Sequence, residues 1–340
     1  MNDPSRNGFW LGVDLAQQTF DASLASSDAP LDQWRRLPVE HFDNTAAGRR
    51  QLRAWLKRQL PRGAELAGVC VESTGRLSHR FAEALRALAP EWPLASIINP
   101  KRSLDFIRSL GVRDKSDRIE AALLALYGAK YQPPPTVPLS PDRQHLQEAC
   151  RLRETLLKEE NALGNRRRES NNPAIRRLLQ TRLRQVKNAQ QQLEKQARQL
   201  IRDDDALKAD YRLLLSIKGI GFITAWVLLA ELGDLRQYSR TTLVGRVGIY
   251  PRHYQSGHTV YRKPRLVKGG GALVRKALFN AARAVLSSKD NTLKDYADRL
   301  QDNGKARIHC MVAVMRKLLL VARSVLVHNT PYDPEHENYA

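Results

Sequence analysis

Cysteine is scarce in this 340-residue chain. Its three copies, Cys70, Cys150 and Cys310, stand far apart, which supports neither a disulfide framework nor a CxxC zinc site. Long apolar runs are missing too. The best candidate, Met311 to Val327, is interrupted by Arg316, Lys317, Arg323 and Ser324. It falls short of the roughly 18 apolar residues that a membrane span requires. The opening MNDPSRNGFW has no apolar core of a secretory signal. These absences predict a cytoplasmic protein with no membrane partner. No GxxxxGK[ST], HExxH or GxSxG motif occurs, so ATP hydrolysis is not supported. Acidic residues are in the minority as well, 35 against 56 Lys plus Arg.

The resulting charge is +21, with a pI near 10.2. The surplus is uneven. Residues 206–340 carry 22 basic and 10 acidic groups, whereas residues 1–140 carry 19 and 15. A solvated basic surface is the plain explanation. A nucleic-acid partner is the better one, because each neutralised phosphate releases a counterion and adds affinity. A hydrophobic fraction of 42% is enough for packed cores and excludes wholesale disorder. The length predicts two or three domains.

Residues 1–131 alternate strand and helix patterns. Strands are expected over Phe9–Leu15, Thr19–Leu24, Ala67–Val71 and Leu94–Ile98. Helices are expected over Ala46–Leu60, Leu77–Leu88, Lys101–Leu110 and Asp117–Ala129. That order predicts an α/β layer fold. Gln132-Pro133-Pro134-Pro135-Thr136-Val137-Pro138 cannot continue a helix and marks a linker. Beyond it, Ile175, Leu179, Leu183, Val186, Ala189, Leu193, Ala197 and Leu200 step by three or four, a coiled-coil-like seam. Leu146, Cys150, Leu156 and Leu163 suggest an antiparallel partner helix before a break at Asn171-Asn172-Pro173. An ordinary helical hairpin and an intermolecular coiled coil both fit. From Ala206 the pattern is mostly helical around a turn-rich island, Gly245 to Gly271, with closing helices near 272–287 and 306–327.

The carboxylates carry chemistry. Asp14 ends the first strand and Glu72 another, so both project from a sheet edge. Asp117 and Glu120, three apart at a helix start, face one side, with Asp114 three residues earlier. Acids at a helix N-terminus are favoured without any ligand. Together, however, Asp14, Glu72, Asp117 and Glu120 suit Mg²⁺, or Mn²⁺, and two-metal phosphodiester chemistry of the ribonuclease H-like kind.

Two further features are weaker alone. Lys218-Gly219-Ile220-Gly221 is a tight turn between helices. There the glycines let backbone N–H groups approach a phosphate, or simply let the helices pack. Downstream, Tyr250-Pro251-Arg252-His253-Tyr254-Gln255-Ser256-Gly257-His258 is a basic, aromatic loop, with Arg262, Lys263, Arg265 and Lys268 following. On spacing alone Ser256 is a turn serine, since its hydroxyl is a weak nucleophile until activated. His253 and His258 are poorly spaced for a metal.

The set GVDLAQ (12–17), VESTGR (71–76), INPKRSLDF (98–106), RDKSDRIEA (113–121), SIKGIG (216–221), GIYPRHYQSG (248–257) and VMRKLLLVA (314–322) resembles the DEDD transposases of the Piv/MooV type. These are bridge-RNA-guided insertion-sequence recombinases. The resemblance runs from about residue 8 to 327, and the order of the motifs is its specific part. It implies a RuvC-like α/β catalytic domain over 1–131, a linker and α-helical coiled coil over 132–205, and a mainly α C-terminal transposase domain over 206–340. It implies Asp14, Glu72 and Asp117 as metal-holding acids. Glu120 stands where the family's Lys-Thr-Asp-x-x-Asp-Ala has aspartate, and Asp114 is in reserve. It implies Ser256 as the nucleophile of a phosphoserine intermediate, which conserves phosphodiester energy and needs no ATP. The partners implied are donor and target DNA, a structured guide RNA, and further copies of the chain in a dimer or tetramer, in a prokaryotic cytoplasm at the nucleoid. Arg252, Arg262, Lys263, Arg265, Lys268, Lys218, Gly219 and Gly221 are candidate phosphate contacts. A metal-dependent junction nuclease without a covalent intermediate, a site-specific DNA invertase and a non-catalytic nucleic-acid scaffold are the competing readings.

Overall fold

The computed structural model describes residues 8–112, 116–256, 260–267, 270–288 and 292–334; the side chains of 252–256 and 260–265 lie outside that description. It divides into two compact units, Met1–Pro138 and Leu139–Ala340.

The first unit is built on a five-stranded mixed sheet. Strand β1 (Phe9–Leu15) pairs antiparallel with β2 (Thr19–Ser26), and β2 with β3 (Val39–Asp43). On the other side β1 runs parallel to β4 (Leu66–Glu72), and β4 to β5 (Ala95–Ile98), giving the order β3-β2-β1-β4-β5. Parallel neighbours need crossovers, and helices supply them. Helix α1 (Ala46–Gln59) is capped by Thr45, whose side chain accepts from the Gly48 N–H. Helix α2 is Arg76–Leu88. Helix α3 (Pro100–Ser109) starts with Asn99 as cap and proline at its first position, where the missing N–H costs nothing. Helix α4 (Asp117–Tyr131) is capped by Ser116 and ends at Gln132 in the left-handed region, just before the prolines.

Side-chain alternation along the strands makes two cores. Leu11, Val13 and Leu15 of β1 pack on one face with Leu52, Trp55 and Phe81. Trp10 and Cys70 face the other way, with Phe106, Leu124 and Tyr127 of α3 and α4. Helix α4 is buried all round from Ala121 to Ala129. It comes close because Gly12 has no Cβ: one added there would run into the Ala125 nitrogen and the Ala121 carbonyl oxygen.

Among the described residues the regular structure of the second unit is helical except for one ribbon. Helices α5 (Pro141–Glu169) and α6 (Pro173–Asp203) form an antiparallel hairpin about the expected break. Leu163, Leu183 and Val186 make its seam, with Leu156 and Leu179 against them. Arg153–Glu194 at 2.7 Å and the Gln190-to-Glu160 hydrogen bond at 2.9 Å flank it. These seam residues are covered within one chain, whereas Ile175, near the start of α6, stays exposed. The base of the hairpin (Leu146, Ala149, Cys150, Ala197, Ile201) shares a core with the helices that follow. Those are α7 (Asp205–Leu215), α8 (Phe222–Leu232), α9 (Arg240–Val247), α10 (Ala272–Leu286), α11 (Thr292–Asp302) and α12 (Arg307–His328). The Trp226 indole donates to the Leu146 carbonyl at 3.1 Å, tying α8 to α5. Within the turn-rich island lies an antiparallel ribbon, β6 (Pro251–Ser256) and β7 (Val260–Leu266).

Three elements depart from the sequence reading. Strand β3 was not expected, because only Phe42 of VEHFD is buried and an edge strand shows little periodicity. Helix α11 buries only Leu293 and Ala297 of TLKDYADRLQD, so its apolar stripe is thin. The β6–β7 ribbon was masked by its charge and prolines. Among the described residues no helix is long and apolar enough to cross a membrane.

Candidate metal centre and nucleic-acid elements

The register of the sheet brings the first two acids together. Val13 lies beside Val71 in the parallel β1–β4 pair, so the next residues, Asp14 and Glu72, leave the strand ends side by side. Both point to the face that α4 covers, because Trp10 and Cys70, an even number of residues back, pack there. Glu120, one turn into α4, is held over them by the close approach at Gly12. The result is a group of three partly buried carboxylates, Asp14, Glu72 and Glu120, with one oxygen of each within 4.8 Å of the others.

Three negative charges at this spacing repel. Burial, then Glu120, Asp117, Glu72 and Asp21, push the Asp14 carboxyl up to about 7. Without a cation Asp14 is thus poised between its two forms at neutral pH. The donor set fits a hard divalent ion. At Mg–O distances of about 2.1 Å, two oxygens on one octahedral ion lie roughly 3–4 Å apart, so small side-chain movements close the group.

Two supporting contacts were missed by sequence reasoning. Ser103, buried in α3, donates its hydroxyl to Glu72 Oε1 at 2.8 Å. Asp21, 4% exposed in β2, stands directly opposite Asp14 in the hairpin, and one of its oxygens lies 3.2 Å from His41 Nδ1 in β3. An aspartate inside the apolar stretch Phe20–Ala25 was a visible signal. Ser103 gave none, since a helical serine is unremarkable in sequence.

The remaining candidates fall elsewhere. Asp117 sits in the exposed first turn of α4, outside the three-carboxylate group, yet near enough to raise the Asp14 carboxyl. Asp114 lies outside the described residues. Lys218 is exposed between α7 and α8. Gly219 adopts a φ of 96°, and a side chain there would strike Val285 of α10, so packing alone demands glycine. Gly221 caps α8 with open space around it, so no packing reason requires glycine there. Ser256 ends β6 opposite Val260; Arg252 pairs with Arg265, and Arg262 with Tyr254, in the backbone register. The side chains of Ser256, Arg252, His253, Arg262, Lys263 and Arg265 lie outside the described residues, as do Lys268 and His258 entirely.

Comparison with known proteins gives this arrangement a setting. Residues 211–298, from α7 to α11, match the transposase IS116/IS110/IS902 family. Over 334 residues the chain is 29% identical to pilin gene-inverting proteins of Moraxella bovis and Moraxella lacunata, covering 95% of this chain and 97% of theirs. It is 24% identical to the transposase for insertion sequence element IS1111A of Coxiella burnetii, covering 83% of this chain and 79% of that one. At these coverages both relationships extend well beyond the residues of the family match.

Proposed function

We propose that this chain is a transposase-type recombinase of the IS110/IS116 kind and exchanges DNA strands by metal-assisted transesterification through Ser256. The observation that carries the reading is the convergence of Asp14 and Glu72, at the ends of two parallel strands, with Glu120 of α4, in a chain of net charge +21. The sheet order β3-β2-β1-β4-β5, with α4 across it, supports a ribonuclease H-like, RuvC-like catalytic domain. A division of labour follows: 1–131 for the acids, 132–205 for the linker and coiled coil, and 206–340 for the serine.

In this mechanism Asp14, Glu72 and Glu120 would hold Mg²⁺ or Mn²⁺, with Asp117 lending charge from the first turn of α4. A divalent ion held there would supply Lewis-acid polarisation of the scissile phosphate and charge stabilisation at the leaving oxygen. Ser256 Oγ bonds to phosphorus as the bond to the 3′-oxygen breaks, and the serine proton ends on the released 3′-hydroxyl. The 3′-hydroxyl of the exchanged strand then attacks the phosphoserine and restores the serine. Each step trades one phosphoester for another, so no nucleotide fuel is required. Lys218, Gly219, Gly221 and the basic residues flanking Ser256 contact phosphates, which position the strands without reading sequence. A structured guide RNA supplies sequence choice, and the chain works as a dimer or tetramer. Inversion is the second reading, favoured by the relatives named as pilin gene-inverting; the chemistry is the same and only the arrangement of the DNA sites differs.

The test uses the full chain expressed with its flanking native DNA. Sequencing the RNA that elutes with it should return one discrete species; random, salt-labile RNA argues against guidance. With Mg²⁺ and end-labelled DNA, a denaturing gel should show a protein–DNA adduct that both Ser256→Ala and Asp14→Asn abolish. Cleavage without an adduct would turn the reading to a junction nuclease.

A further inference from the structure

We infer that Ser103 is a positioning residue that fixes Glu72 for one-oxygen coordination and so tunes which divalent cation the three-carboxylate group accepts. The inference rests on the cation reading of that group given above.

Ser103 lies in the first turns of α3, 4% exposed, and its hydroxyl has two acceptors within reach. Glu72 Oε1 is at 2.8 Å and the Pro100 carbonyl oxygen at 3.0 Å. A hydroxyl has one proton to give. The bond to an ionised carboxylate is about twice as strong as a neutral one, so Glu72 takes it. A helical serine usually turns back on its own helix; here the Pro100 carbonyl oxygen is the alternative acceptor.

The backbone arranges this contact. Glu72 is paired with Ile98 across β4 and β5, and the Ser73 N–H donates to the Ile98 carbonyl at 2.9 Å, pinning the strand end. Asn99 and Pro100 then start α3 at once. Side chains in a helix lean toward its N-terminus, so Ser103 leans toward that strand end.

The consequence concerns denticity. A glutamate is a long side chain that can meet a cation with one oxygen or two. With one lone pair of Oε1 taken by Ser103 and the side chain held by that bond, Glu72 offers its other oxygen more readily than both together. Octahedral Mg²⁺ and Mn²⁺ sites take single carboxylate oxygens, whereas Ca²⁺ accepts a bidentate carboxylate in a larger, looser shell. Ser103 therefore favours the smaller ions. Partners of this kind behind metal ligands are worth roughly 10–100-fold in affinity.

The experiment titrates Mn²⁺ into the full-length protein, followed by electron paramagnetic resonance of the free ion, with Mg²⁺ and Ca²⁺ as competitors. Ser103→Ala should weaken Mn²⁺ about tenfold and Ca²⁺ much less, narrowing the discrimination between them. Ser103→Thr, which keeps the hydroxyl, should restore both. Ser103→Cys, nearly the same size but a weak donor, should behave like the alanine variant, and it serves if Ser103→Ala does not fold. Wild-type affinity and selectivity in the alanine and cysteine variants, with Asp14→Asn abolishing binding, would overturn the role of Ser103 and leave the cation site standing. Binding that Asp14→Asn leaves intact would overturn both.

Discussion

Asp14 shows how one residue carries the electrostatics of the centre. Its carboxyl is lifted from 3.8 to about 7 by burial and by the acids around it. A carboxyl raised in the folded state lowers stability once it must ionise. The folded protein holds a proton that the unfolded chain has lost, so stability falls as pH rises from about 4 to about 7. Asp14→Asn removes that dependence. In metal-free buffer it should match the wild type near pH 4 and melt higher at pH 8. Asp14 is partly open to solvent, so the gain is about 1 kcal/mol after screening, or roughly 2–4 °C. Differential scanning calorimetry at the two pH values reads it; equal melting differences at both would contradict the shift. The same competition makes cation binding tighten as pH passes through about 7.

At the scale of elements, the closeness of α4 to β1 decides whether Glu120 meets Asp14. Gly12 sits under the Ala121 and Ala125 backbone, where no side chain can yield. Gly12→Ala should push α4 off the sheet, cost about 2–3 kcal/mol as overpacking does, and weaken Mn²⁺ binding. Chemical denaturation and a Mn²⁺ titration together check this, since a stability loss with unchanged binding would separate the two effects. In the second unit, buried Asp210 of α7 accepts from Arg143 of α5 at 3.3 Å and from Arg236, just after α8, at 2.8 Å. Asp210→Ala leaves both guanidinium groups without that acceptor. It should cost about 2–3 kcal/mol, in line with hydrogen bonds to charged groups, seen as a lower urea midpoint. Much of this level was legible beforehand. The strands β1, β2, β4 and β5 and helices α1 to α4 follow directly from apolar spacing and caps. Strand β3, α11 and the β6–β7 ribbon were not, because each buries too few apolar side chains or interrupts its pattern with charge and proline.

For the whole molecule the governing quantity is the charge of +21. DNA binding should be strongly salt-dependent. If roughly five phosphates are neutralised, the plot of log affinity against log salt has a slope of about −4.5, and affinity drops several-hundred-fold between 50 and 200 mM. Fluorescence anisotropy over a salt series measures this. A slope near zero would deny the basic surface a role in binding.

The sequence by itself determined the basic charge, the α/β start, the helical remainder and two strand-end acids, because composition and periodicity are local properties. It also offered Glu120 on a helix face. Only the tertiary structure decided which acids meet. The parallel register of β1 with β4 sets Asp14 beside Glu72, and Gly12 admits α4 with Glu120, while Asp117 one turn earlier stays in solvent. Likewise, the support from Ser103 and the pairing of buried Asp21 with exposed His41 join residues 31 and 20 positions apart in the chain. Such contacts depend on strand register and helix approach, which arise from packing and leave no mark in the spacing of any single segment.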